Sequence, residues 1–422
     1  AGRMALAVQL SRRLGRPLCV VTAGEAEASR AAADLQALGL SAAVFPARDL
    51  LLRPIEGAGR EYEYRRLAVL GGLVGGRVDA VCVPAEGLLQ FTVPKAEFCA
   101  NTLTLKPGME IPQKQLAARL FGAGYVRRDR VEGPGQFSVR GGILDIFPPQ
   151  SANPYRVEFW DDEIDSISTF DVGSQRRLEQ CDTLRCLPCM ETIPALAKGG
   201  AAGLAKAVLA LVSTRRKKQH AELQKNLERD AERLRESGTL PAADKYMPLI
   251  YPEITTAFDY LPENTLVLIE DTPRLRDAAR DFHARIADDV TALMERGEMP
   301  GGLDGYALDF VGICGVKRQI VRMDSFLNSI PELAPQHLEN FVANQMNAYG
   351  GNLDMASADI RSYTEQGRAV AVVCGSALRC QNMLDALTDT GLNVKISDLL
   401  PKGGCVNIME GTISAGFEYP DL

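Results

Sequence analysis

The 422-residue sequence predicts an α/β protein: a parallel, doubly wound sheet interrupted by an α+β insertion on an antiparallel sheet, then a second, small α/β unit. Three observations carry this. Short apolar runs alternate with amphipathic helical stretches over residues 1–92, as parallel strands and their crossover helices do. From about Phe91 to Pro188, Gly and Pro punctuate short strands of clean period-two alternation. The first pattern then resumes up to Glu298–Gly305, a Gly- and Pro-bearing stretch read as a linker, and again beyond it. A chain this long exceeds one ordinary core, so two to four domains are expected.

The elements follow in order. Leu18–Thr22 reads as a buried parallel strand. The helix Glu25–Leu38 sets Ala28, Ala31, Leu35 and Leu38 on one face and stops at Gly39. Ala42–Phe45 is a second strand. Glu61–Val74 is a helix turning Tyr64, Leu67, Leu70 and Val74 inward, and Val78–Val83 is a third strand. Pro94 and Pro107 break the chain. Pro112 opens a helix carrying Leu116, Leu120 and Phe121. Tyr125–Arg130 and Gly133–Arg177 follow as short strands. Along them Phe137 and Val139 point opposite to Gln136, Ser138 and Arg140, while Tyr155, Val157 and Phe159 point opposite to Arg156, Glu158 and Trp160. The polar face of such a sheet normally meets water. Here it carries two arginines and the only tryptophan, the residue types that most often anchor partners.

Residues 190–240 are helical and charged, with Leu204, Val208 and Leu211 on one apolar face and Leu223, Leu227 and Leu234 on another. The run Arg215-Arg216-Lys217-Lys218 has the charge to touch phosphate, but acidic residues follow at once and favour a solvated face. Thr265–Ile269 is a buried strand, and Leu275–Leu293 a helix with Phe282, Ile286 and Val290 inward. The last unit comprises helices at Asn352–Gln366 and Ala377–Leu387 and strands at Ala369–Cys374, Val394–Ile396 and Cys405–Met409.

Net charge of −7 and a pI near 5.3 argue against the chain as a whole wrapping nucleic acid. No apolar run reaches the ~18–20 residues of a membrane span. Met4–Leu14 is interrupted by Gln9, Ser11, Arg12 and Arg13 and is no signal peptide. Ala1 at the start and Tyr-Pro-Asp-Leu at the end suggest a piece of a longer protein. Ten scattered cysteines fit a reducing compartment. Cys186-Leu-Pro-Cys189, with Cys181 nearby, has the form of half a zinc or redox site. No second pair follows, and His220, His283 and His337 lie elsewhere, so small buried side chains are the preferred reading.

A phosphate loop needs G-x-x-x-x-G-K-[ST]. The chain has no such match. Ala1-Gly2-Arg3-Met4-Ala5 stands ahead of a helix without the Lys-Ser/Thr pair. The apolar strand ending at Glu270-Asp271 has the shape of a magnesium-binding acidic pair, but a helix N-cap at Asp271 or Thr272 explains it equally. Gly2, Arg3, Glu270 and Asp271 are therefore read as a degenerate nucleotide site, with no catalytic residue and no metal ligand singled out.

Several stretches together resemble a known family: Phe45-Pro-Ala-Arg-Asp, Glu61-Tyr-Glu-Tyr-Arg-Arg-Leu, Val83-Pro-Ala-Glu-Gly-Leu-Leu-Gln, Gly135-Gln-Phe-Ser-Val-Arg-Gly-Gly-Ile-Leu-Asp-Ile-Phe-Pro-Pro, Phe170-Asp-Val-Gly-Ser-Gln-Arg and Leu261-Pro-Glu-Asn-Thr-Leu. They look like the N-terminal, UvrB-like module of the bacterial transcription–repair coupling factors. The likeness is most specific over Gly133–Arg177. Beyond about Gly305 it rests on element order and Gly411-Thr-Ile-Ser-Ala-Gly-Phe-Glu. It implies a degenerate helicase-like (RecA/P-loop-type) domain in two halves, 1–92 and 190–304, an inserted UvrA-binding domain at 93–189, and a small α/β domain at 305–422. By motif the family's UvrA contacts fall on Arg140, Arg156 and Trp160, the last commonly Phe. The resemblance further implies a cytoplasmic protein with no cofactor in this portion. ATP and magnesium belong to motor domains further along the parent chain, as do the contacts to RNA polymerase and DNA. A C-terminal domain of the parent is expected to mask the UvrA-binding face. The alternative is a UvrB-like ATP-dependent helicase or damage-binding module. Its DNA-clamping hairpin would fall near Leu88–Pro94, where this sequence is short and carries no aromatic cluster.

Overall fold

The computed structural model describes residues 1–55, 59–211, 219–303, 305–315, 317–397 and 403–420. The basic run at 215–218 lies outside them.

A five-stranded sheet forms the body, in the order Ile320–Met323, Leu266–Glu270, Leu18–Thr22, Ala80–Pro84, Ala42–Val44. All its pairings are parallel. The Leu18–Thr22 and Ala80–Pro84 strands are buried at every residue, which is why they read as continuous apolar runs. Their side chains divide between two cores. Val20 and Leu268 meet Met4, Ala28 and Leu35 from the helices Gly2–Leu14 and Glu25–Ala37. Cys19, Val21, Val83 and Ile269 meet Leu67, Leu70, Leu275 and Phe282 on the opposite side. The sheet is thus wound on both faces.

Its edge strand, Ile320–Met323, lies beyond the 304/305 division drawn from the sequence. The stretch read as a linker is packed too: Met299 and Leu303 are buried in the larger core with Tyr306, Phe310 and Ile313. Leu308 N–H donates to Leu89 O at 2.9 Å, and Phe91 N–H to Tyr306 O at 3.4 Å.

The insertion carries a six-stranded sheet in the order Arg177–Gln180, Glu163–Phe170, Tyr155–Trp160, Ile143–Ile146, Gln136–Arg140, Val126–Arg127. Only the last pair is parallel. Leu116 and Leu120 of the helix Gln113–Gly122 pack under it against Phe137, Leu144, Ile146, Val157 and Ile167. Leu103–Leu105 enters beside the departing Leu184–Cys186 and pairs with it antiparallel, so the insertion starts and ends at one place. Cys186 and Cys189 are buried free thiols there. Burial pushes Cys186 up to about 12 and Cys189 well above the ordinary thiol value, a poor setting for redox chemistry.

A buried ion network joins the two body segments that flank the insertion. Arg66 Nε and Nη2 donate to Glu191 at 2.6 and 3.0 Å, and its Nη1 to Pro46 O, Gly87 O and Gln90 Oε1. Arg48 reaches both Asp244 oxygens, at 2.5 and 3.0 Å, and its Nε lies 3.3 Å from Glu191. Glu191 N–H donates to Glu63 at 2.7 Å. Burial tends to raise the Asp244 carboxyl, but the charge and hydrogen bonds of Arg48, with those of Thr192 and Leu51, outweigh it and hold Asp244 below its ordinary value. Burial prevails at Glu63, whose carboxyl is raised.

The last unit is a three-stranded parallel sheet, Val370–Cys374, Val406–Glu410 and Val394–Ile396 in that order. The helix Ala377–Asp389 supplies Cys380 and Leu387 to its core. Among the described residues no helix is long and apolar enough to cross a membrane.

Candidate docking face

Cross-strand register builds the outer face of the insertion sheet. Ser138, Asp145, Arg156 and Ser168 stand in one row across four strands. Arg140, Ile143, Glu158 and Ser166 form the next row toward the Gly141–Gly142 turn. Gly141 has φ +58°, a left-handed conformation that glycine takes without strain. A Cβ on Gly142 would sit 3.1 Å from Phe159 O, so glycine permits the close approach in which Phe159 N–H donates to Gly142 O at 2.8 Å. Trp160 ends its strand opposite Glu163 and is 80% exposed.

The two sequence-predicted arginines meet on one carboxylate. Arg156 Nε and Nη2 donate to Asp145 at 2.8 and 2.9 Å. Arg140 Nη2 donates to Asp145 Oδ2 at 2.7 Å. Arg156 Nη2 also reaches Gln175 Oε1 at 3.2 Å, and its guanidinium lies 4.5 Å from the Phe170 ring centre. The hydrogen bonds it donates to Asp145 raise Arg156 further above its already high value. Exposure is graded: the Asp145 side chain is 1% exposed, Arg156 13% and Arg140 48%. Arg177 pairs with Glu158 beside them. Arg156 therefore does not present a free fork. Its Nε/Nη2 edge is occupied, and Arg140 carries the more available donors.

Trp160 stands apart from this cluster, four residues and roughly 13 Å along the strand from Arg156 at ~3.3 Å per residue. Sequence reasoning missed Asp145, Phe170 and Gln175. The one local signal was an acid inside the otherwise apolar run Ile143-Leu144-Asp145-Ile146.

The other predicted set is also brought together, in a different role. Arg3 Nη1 pairs with Glu270 at 3.1 Å and its Nη2 donates to Ser325 at 2.6 Å. Asp271 is the N-cap of the helix Thr272–Glu295, with φ +58° and its side chain accepting from Arg274 N–H. A Cβ on Gly2 would lie 3.0 Å from Tyr419 Oη and 3.2 Å from Phe417 Cγ. The start of the first helix is thus covered by aromatic side chains, and the carboxylates beside it are engaged in an ion pair and a cap. Among the described residues no cluster of His, Cys, Asp and Glu could hold a metal ion.

Residues 103–191, from the entering strand to just past the departing one, match the family described as UvrB interaction domain. Over its length the chain is similar to the N-terminal portion of transcription-repair-coupling factors. It is 28% identical over 424 residues to that of Bacillus subtilis (strain 168), covering 97% of this chain and 36% of the relative. It is 23% identical over 392 residues to that of Staphylococcus epidermidis (strain ATCC 12228), covering 89% and 32%. It is 33% identical over 240 residues to that of Escherichia coli (strain K12), covering 56% and 19%. The chain thus spans about a third or less of the length of these relatives.

Proposed function

We propose that this chain is a repair-recruitment module. Its insertion binds UvrA through Arg140, Arg156 and Trp160 and so brings nucleotide excision repair to stalled RNA polymerase. The observation that carries this is an 80% exposed tryptophan on the same sheet face as clamped guanidiniums, within the stretch that matches a UvrB interaction domain. Aromatic and Arg anchors dominate binding energies at interfaces. In this reading 1–92 and 190–304 are the two halves of a degenerate helicase-like domain, extended to take in Ile320–Met323. The insertion occupies 93–189, and the remainder up to 422 is a separate small domain. The ATP- and magnesium-dependent motor and the contacts to polymerase and DNA belong to other parts of a cytoplasmic parent, whose C-terminal domain masks the docking face until the motor engages.

The test is capture of purified UvrA by the wild-type chain and by Arg140→Ala, Arg156→Ala and Trp160→Ala. Retention unchanged in all three would defeat the assigned face. The helicase alternative is tested by calorimetry with ATP, with and without magnesium. The filled first-helix terminus, where Tyr419 and Phe417 crowd Gly2, predicts no binding, and appreciable turnover would overturn that.

A further inference from the structure

We infer that Asp145 is the positioning residue of the docking face: it holds the Nε/Nη2 edge of Arg156 and Nη2 of Arg140, so that their remaining N–H groups are set for a single carboxylate of the partner. This rests on the docking proposal above and adds a residue to it that the interface itself would not touch.

The geometry has three parts. First, Asp145 is 1% exposed, and all the hydrogen bonds its carboxylate receives from described residues come from the two arginines. Ser138, directly across the strand pair, leaves its hydroxyl without a hydrogen-bond partner. Asp145 is thus not held by the serine beside it but clasped from above. Second, the two arginines are unequal. Arg156 is fixed by Asp145, Gln175 and the Phe170 ring. Arg140 is anchored only through Nη2 and is half exposed. Its Nε and Nη1, with Nη1 of Arg156, have no acceptor among the described residues. Third, two guanidiniums share one carboxylate, so one positive charge is left over, while neighbouring Glu158 is already paired with Arg177. A surplus of one charge beside fixed donors calls for one carboxylate, which guanidinium forks bind with directed hydrogen bonds.

A guanidinium already anchored has less freedom left to lose on binding than an unanchored one. Lysine at position 140 would keep the charge but could not grip Asp145 and a partner oxygen from two edges at once.

The experiment measures UvrA affinity of the full 422-residue chain by calorimetry for wild type, Arg140→Ala, Arg140→Lys, Asp145→Asn and the double variant Asp145→Asn/Arg140→Ala, with thermal midpoints alongside. The inference expects Asp145→Asn to weaken binding about tenfold. It expects the double variant to lose less than the product of the two single losses, because part of the Asp145 effect acts through Arg140, and Arg140→Lys to lose nearly as much as Arg140→Ala. Wild-type affinity in Asp145→Asn, or losses that multiply in the double variant, would overturn it and leave the docking reading standing. If Asp145→Asn does not fold, Arg140→Lys decides alone: this exposed variant should fold, and wild-type affinity in it would overturn the inference. Failure of the docking reading itself looks different, with Arg140→Ala, Arg156→Ala and Trp160→Ala all binding as wild type.

Discussion

Arg66, at the junction of body and insertion, has all three of its guanidinium nitrogens engaged inside the protein. Arg140, on the outer face of the insertion, has only Nη2 engaged. Both face carboxylates at ordinary hydrogen-bond distance, yet burial gives the two pairings different work. Away from water, a charge left without its partner is severely penalised, so the junction network fixes the two body segments flanking the insertion as one piece. An exposed pair contributes little to stability, because water competes for both groups. What the outer face lacks in stabilising power it keeps as unspent donors.

The largest effect expected from this contrast is at the junction. Glu191→Ala would strand Arg66 and weaken the hold on Arg48, and should cost ~3–5 kcal/mol of stability, read from denaturant unfolding. A loss under ~1 kcal/mol, the range of exposed pairs, would erase the distinction. At the other extreme of exposure, Trp160→Ala should weaken UvrA binding by ~1–3 kcal/mol while moving stability by no more than ~0.5 kcal/mol. A drop in thermal midpoint matching the loss of affinity would reassign the indole to folding.

Acid titration sharpens the comparison further. The folded Asp244 carboxyl is held below its ordinary value. Its contribution is present above the unfolded value of ~3.9 and is lost as pH falls through the lower folded one. The raised Glu63 has the opposite sign: its contribution favours the fold at low pH and is withdrawn as pH rises from ~4.3 through the folded value. Asp244→Asn should therefore lower stability at pH 5 but flatten its decline toward pH 3, measured by denaturant unfolding at both. An unchanged acid limb would remove Asp244 from the account. The smallest effect concerns thiols. Exposed Cys99 should be alkylated first in the native chain. Buried Cys19 and Cys186, each pushed up to about 12 by burial, should stay protected, as peptide mapping after brief iodoacetamide treatment would reveal.

Period-two alternation was enough to place Arg140, Arg156 and Trp160 on one outer face, because side-chain direction along a strand is local. It could not show that Asp145, on that same face, is almost wholly buried, since its cover comes from other strands. The same limit hid Ile320–Met323. Its residues are half-buried and it pairs with a strand some fifty positions earlier, so no local run announces it. Gly and Pro over 298–305 suggested a linker, and Gly301 and Gly302 do form a turn, but turn residues do not say whether the chain around them packs, and Met299 and Leu303 do. At the first helix, the missing Lys-Ser/Thr pair was legible. The cover supplied by Phe417 and Tyr419 was not, because it joins opposite ends of the chain.

Trp160 has one more consequence. As the sole tryptophan of the chain, with its ring largely in water, it makes the protein its own optical probe. Excited at the red edge of indole absorption, where tyrosines barely absorb, native emission comes from a single solvated indole. Whatever covers that corner of the sheet should shift the spectrum to the blue, so occupancy can be followed in real time without attaching a label.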